Sequence, residues 1–285
     1  HLAPAGAGAR AVTALGQAGE RARRLFANAE AILDYARAVE LARADASQAE
    51  RLPELLLALA DLHELRGDYD EARRLYEELR DLTGDVRAWR GVASTLRRQG
   101  RYADALVALD DALPGMTDAD ADLRPLWLER GWTLSMTGGT EDASAALRHG
   151  LDADERRDAW RARLLLELGR IAAVMGTAGD ALPDVLAAAA IFEEVADLSG
   201  QATALRVLGG LYDDLERYDE AAAALRRALE LAERVGSAEE LGGSLINLGI
   251  TQTHLDELDA AVASNLRALE EFERIGHVSG RAVAH

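Results

Sequence analysis

Residues 205–235 read LRVLGGLYDDLERYDEAAAALRRALELAERV, and residues 245–275 read LINLGITQTHLDELDAAVASNLRALEEFERI. A shift of 40 positions sets Leu205 on Leu245, Leu208 on Leu248, Gly209 on Gly249, Ala221 on Ala261 and Ala228 on Ala268. Self-similarity at a fixed period of this length marks a chain made of stacked supersecondary units. Upstream, Gly67-Asp68-Tyr69-Asp70-Glu71-Ala72 and Gly100-Arg101-Tyr102-Ala103-Asp104-Ala105 lie 33 residues apart, each a glycine turn running into a new helix. Apolar residues recur at helical spacing within each unit, so each unit is predicted to be a pair of helices burying one face.

The pattern resembles the tetratricopeptide repeat, which runs Trp-x2-Leu-Gly-x2-Tyr, then Ala-x3-Phe, then often Pro. Its Trp slot holds Trp89 and Trp127, with leucine at 56, 165, 205 and 245. Its Gly slot holds Gly131, Gly169, Gly209 and Gly249, with Ala60 and Ala93 elsewhere. The second-helix Ala slot is filled throughout, by Ala31, Ala72, Ala105, Ala143, Ala181, Ala221 and Ala261. A small residue on the first helix admits the second helix against its backbone, and the slot alanine marks the crossing point. One hairpin cannot bury its apolar face alone, so neighbours stack to complete the core. The alanine spacings are 41, 33, 38, 38, 40 and 40 residues, which implies extra helical turns in the longer repeats.

The resemblance implies an all-α fold, a right-handed superhelical solenoid of about seven helical hairpins. Residues 11–276 are read as one solenoid domain after a flexible end, 1–10, which includes Gly6-Ala7-Gly8. IGHVSGRAVAH at 275–285 repeats VADLSGQATAL at 195–205, so 277–285 reads as the stub of an eighth repeat. Pro114-Gly115 should end a helix before the acidic run Asp118-Ala119-Asp120-Ala121-Asp122. Pro125 should sit in a first turn, and Pro183 likewise, after Asp180 as cap. Residues 18–38, AGERARRLFANAEAILDYARA, also resemble the opening of C-terminal arms of bacterial signalling proteins. These are multidomain signal-transduction ATPases, ATPase-linked nucleotide cyclases and large transcriptional regulators.

Composition narrows the function classes. Roughly one residue in five is alanine, the strongest helix former. The formal net charge is −18, which repels a phosphate backbone and an anionic membrane alike, so neither nucleic acid nor membrane is an expected partner. The chain has no cysteine, and all 32 basic residues are arginine. Thiolate chemistry, Schiff-base lysines and phosphate-loop lysines are thereby excluded. No H-E-x-x-H or G-x-S-x-G motif occurs, and no two of the six histidines share a helical turn. The expectation is a non-enzyme without cofactor or metal. His63, in a Tyr slot, reads as a packed residue, and Trp89 and Trp127 as structural.

In the tetratricopeptide family the concave face is lined by first helices, at slots two, five, nine and twelve of the repeat. Carried over, repeat three supplies Arg87, Arg90, Ser94 and Arg97, and repeat four supplies Leu128, Trp132 and Ser135. Repeat five supplies Arg163, Leu166 and Arg170, repeat six Thr203, Arg206 and Asp213, and repeat seven Ile246, Ile250 and Thr253. Asn247 is counted on the same face; with Gln252, His254 and Asn265 it marks either a small polar site or a repeat near the array's end. Guanidinium groups bind carboxylates and phosphates through two bonds at once. The arginines therefore imply either a groove for an acidic peptide, a terminal carboxylate or an anionic small molecule, or ion pairs with neighbouring acids. The function expected is a cytoplasmic scaffold binding a protein, a peptide or an anionic small-molecule ligand. It would be the sensor arm of a larger bacterial signalling protein, to which the missing initiator Met also points; a free-standing adaptor is the alternative, with self-association through repeat ends a third route.

Overall fold

A computed structural model describes residues 7–25, 27–115 and 122–274. Fourteen α-helices and no strand occur among the described residues. They fall into two compact units, divided between Thr137 and Gly138. The first holds α1 (Ala7–Arg24), α2 (Asn28–Ala44), α3 (Leu52–Arg66), α4 (Tyr69–Thr83), α5 (Val86–Arg98), α6 (Tyr102–Ala112) and α7 (Arg124–Met136). The second holds α8 (Thr140–Ala153), α9 (Ala159–Val174), α10 (Ala178–Glu194), α11 (Leu198–Asp214), α12 (Tyr218–Val235), α13 (Ala238–His254) and α14 (Leu258–Arg274).

In the first unit, α1–α2, α3–α4 and α5–α6 are antiparallel hairpins, and α7 stacks on α5 and α6. In the second, α9–α10, α11–α12 and α13–α14 are the hairpins, and α8 packs on α9. First helices lie side by side within each unit: α3 on α5 and α5 on α7, then α9 on α11 and α11 on α13. The repeats spaced by 40 residues do carry longer helices. Helices α10, α11, α12 and α13 have 17, 17, 18 and 17 residues, against 15, 15, 13 and 11 in α3, α4, α5 and α6.

All seven slot alanines are buried, Ala31, Ala72, Ala105, Ala143 and Ala221 completely. The glycine slot faces the residue four beyond the slot alanine. A methyl group at Gly169 would overlap Val185, one at Gly209 would overlap Leu225, and one at Gly249 would come within 2.5 Å of the Asn265 side-chain oxygen. Glycine at these places is what lets the two helices of a hairpin touch.

Two expectations need correction. α10 opens at Ala178 and places Pro183 inside the helix, with Asp180 in its first turn and Thr177 as the capping position. The turn begins three residues sooner than the proline suggested, as it does in the other hairpins, where the slot alanine always sits near the fourth helical residue. Pro183 is the sixth residue of α10, so its missing N–H removes one early bond and the helix continues past it. α1 already begins at Ala7, inside the segment read as flexible. The stub 277–285 and Asp118, Asp120 of the acidic run lie outside the described residues.

In the hairpins α3–α4, α5–α6, α9–α10, α11–α12 and α13–α14 the turn contains one residue of left-handed conformation. It is Gly67, Gly100 and Gly176 in the first three, but Glu216 (φ 59°) and Asp256 (φ 61°) in the last two. The hydrogen bonds are the same throughout: Gly67 N–H donates to Glu64 and Asp68 N–H to His63, as Glu216 N–H does to Asp213 and Arg217 N–H to Tyr212. Only glycine adopts this conformation without a Cβ clash. Glu216→Gly and Asp256→Gly are therefore each expected to stabilise the second unit by about 0.5–1 kcal/mol. A thermal melt that falls for both variants would refute the assignment of strain.

Candidate functional site

The first-helix slots do not all do the same work. In the first unit, Arg87 is exposed and its guanidinium pairs with Asp85 at 2.6 Å, the residue that caps its own helix. Ser94 is buried and donates to Glu64 at 2.6 Å. Arg97 reaches from α5 to the buried Glu129 of α7, and its guanidinium carbon lies 5.3 Å from the Trp132 ring centre. Burial pushes the Glu129 carboxyl above the usual carboxylate range, and Arg97 opposes that shift. Trp132 is thus half-buried and stacked on a structural ion pair. Arg90, also half-buried, makes no ion pair or hydrogen bond within the described residues.

In the second unit, Arg163 lies 5.0 Å over the Trp160 ring and 3.9 Å from Asp197. Arg206 of α11 pairs with Glu240 of α13 at 2.8 Å, and the same carboxylate accepts from Thr203. Arg97–Glu129 and Arg206–Glu240 are one device used twice: an arginine on one first helix ties to an acid on the next. The pairing alternative drawn from the sequence holds for these two arginines. Arg170 is different. It is 51% exposed and only 3.5 Å from Glu167 of its own helix, so its charge is available to solvent.

Five of the expected residues meet in one place. Arg170, Arg206, Asp213, Asn247 and Ile250 line a cleft of about 350 Å³ shared by α9, α11 and α13, with Gly210 in its floor. A glycine pair makes the cleft. Gly209 faces Leu225 of its own hairpin, whereas a methyl at Gly210 would approach only the Asn247 side-chain nitrogen, at 4.0 Å. Gly243 repeats the arrangement on α13 by letting the Arg206 side chain lie flat across it, 3.3 Å from where a Cβ would stand. At the far end Asp213 holds the His254 ring nitrogen at 3.1 Å, and Asp214 has its carboxyl pushed up by burial and by Asp213. Among the described residues Asn247 makes no side-chain hydrogen bond, and Ile250 is 47% exposed. The small polar site expected around Asn247 does not assemble: Gln252 accepts from buried Ser264 of α14, and Asn265 packs on Gly249.

Of the remaining sequence readings, His63 is half-buried with its ring nitrogen 3.2 Å from Asp68. Trp89 and Trp127 pack against the core formed by Ala93, Leu109 and Leu126. No cluster of acids and histidines able to hold a metal, and no helix long and apolar enough to cross a membrane, occurs among the described residues.

Residues 160–234 and residues 53–94 each match the tetratricopeptide-repeat family. Those two stretches carry tetratricopeptide repeats. The fold of the chain is that of several solved tetratricopeptide structures. A tetratricopeptide repeat protein from Parabacteroides merdae is 13% identical, with 96% of this chain on 99% of that one and a TM-score of 0.65. The signal transduction ATPase with numerous domains that carries a tetratricopeptide repeat sensor, from Pyrococcus horikoshii, is 17% identical, with 89% of this chain covered and a TM-score of 0.65. A chain of the APC/C hetero-tetramer Cut9-Hcn1 is 20% identical, with 81% of this chain covered and a TM-score of 0.64. This chain spans 42% of the length of each of the last two. No curated protein matches the sequence.

Proposed function

We propose that the chain is a non-catalytic binding scaffold whose second-unit cleft receives an anionic group, either the carboxylate of a peptide partner or an anionic small molecule. The observation that carries this reading is the convergence of exposed Arg170 and the Asn247 amide on one cleft beside exposed Ile250, with Arg206 held alongside by Glu240. A guanidinium and an amide offer donors to a carboxylate, and the apolar wall takes the attached chain. The Asp213–Asp214 end disfavours a second negative charge, so the ligand places its anion at the arginine end. The Pyrococcus likeness, to a protein with a tetratricopeptide sensor, supports assigning the chain as the sensor arm of a larger signalling protein. The Parabacteroides likeness, matched along nearly its whole length, favours a free-standing adaptor instead. The coding sequence on either side of the segment separates the two.

A thermal-shift panel of small carboxylates, phosphates and peptides with free C-termini tests the cleft. At least one member is expected to raise the melting temperature, and Arg170→Glu should remove most of that rise without lowering the unliganded melt. Gly210→Leu, which fills the floor, should remove it too. A panel without any positive, or one whose shifts survive both substitutions, overturns the reading.

A further inference from the structure

The first unit has a groove of its own, of about 460 Å³, lined by α1, α3 and α5. Its long side is a stripe of α3: Glu54, Leu57, Asp61 and Leu65. The spacing of three, four and four residues keeps all of them on one helical face over about 16 Å, three turns of a helix. Leu65 is 71% exposed, and Leu57 is half-buried. The stripe is an acidic residue followed by a leucine, twice.

The charges in this groove do not cancel. Arg23 is held by Glu20 through two bonds of 2.9 and 3.0 Å, and Arg87 by Asp85. Glu54 has no ion pair or hydrogen bond within the described residues, and Asp61 accepts only the Tyr76 hydroxyl, at 2.6 Å. Neither carboxylate forms a direct ion pair among the described residues, although Arg90 and Arg23 act on Asp61, and Arg87 on both, from a distance; with Leu57 and Leu65 they line the groove. An anionic peptide or membrane would meet both carboxylates and a net charge of −18.

We propose that this groove docks a cationic amphipathic helical segment of a partner protein. The segment's Lys or Arg side chains pair with Glu54 and Asp61, and its apolar side chains cover Leu57 and Leu65. This site lies in the other unit from the carboxylate cleft and selects the opposite charge, so one chain carries two docking faces of different sign. The length of the stripe fits three turns of a partner helix with apolar residues at i, i+3 or i+4 and i+7.

The test uses two labelled 14-residue synthetic peptides with the same leucine spacing, one with lysine and one with glutamate at the polar positions. Binding to the whole chain is followed by fluorescence anisotropy at physiological ionic strength. The lysine peptide is expected to bind and the glutamate peptide to fail. Glu54→Arg and Leu65→Ser, both exposed, should each weaken the lysine peptide by about tenfold, because each removes a salt link or a buried leucine contact. Asp111→Arg makes the same charge change at an exposed position of α6, outside the groove, and should leave binding unchanged. Equal weakening by Asp111→Arg, or full binding to Leu65→Ser, overturns the proposal as a general attraction to an acidic chain. Failure of the lysine peptide to bind overturns it outright.

Discussion

Phe192→Ala is expected to destabilise the second unit by about 3–5 kcal/mol, and the loss should shrink when Gly200→Ala is added. Phe192 ends α10, is 1% exposed, and packs its ring on Gly200 in the first turn of α11. A methyl at Gly200 would overlap that ring, so Gly200→Ala alone overpacks the contact and costs about 1–3 kcal/mol. With the ring gone, the same methyl enters the space it vacated. The double variant should then be more stable than the sum of the single losses allows. Urea denaturation followed by circular dichroism reads all three values. Strict additivity would mean that the ring and the glycine do not share a contact. The same lock occurs in the first unit, where a methyl at Gly91 would stand 2.5 Å from the Tyr76 ring.

The second large effect is electrostatic. Arg97→Ala leaves the Glu129 carboxylate, 2% exposed, without its guanidinium. Breaking a buried pair from one side costs about 3–5 kcal/mol, and the exposed edge of Arg97 places this case at the lower end. Burial already raises the Glu129 pKa above its ordinary 4.5, so the folded state holds that proton to higher pH than the unfolded state does. Stability from this group is present at low pH and is lost as pH rises through the folded-state value. Removing Arg97 raises that value further. The deficit of Arg97→Ala should therefore be largest near neutral pH and shrink on acidification towards 4.5. Glu129→Gln in the Arg97→Ala background should recover most of it at neutral pH. A deficit that does not change with pH would show that the lost stability is packing on Trp132 rather than charge.

The hairpin architecture was legible because it rests on small residues at crowded helix contacts. Alanine at 31, 72, 105, 143, 181, 221 and 261 is buried, and glycine at 169, 209 and 249 sits against side chains of the second helix; both repeat at the spacing of the fold. Helix ends were less legible. Pro183 looks like a first-turn proline from sequence alone, yet the turn is set by the left-handed Gly176 and the bonds around it. The slot rule placed Arg97 and Arg206 on the correct helices but was silent about partners 32 and 34 residues further on. It also had more to give: the same slots in the first two repeats are Glu20, Arg23, Glu54, Leu57 and Asp61, the residues of the first-unit groove. Their mixed signs hid them behind the clearer row of arginines.

Within each unit the main contacts of a hairpin, among the described residues, are with helices next to it in sequence or one hairpin away. Closing such contacts joins points a few dozen residues apart, which keeps the entropy of loop formation small. Each hairpin can thus complete itself soon after leaving the ribosome and serve as the template for its successor. A fault introduced in one of them should fray that stretch of the stack while more distant hairpins keep their order.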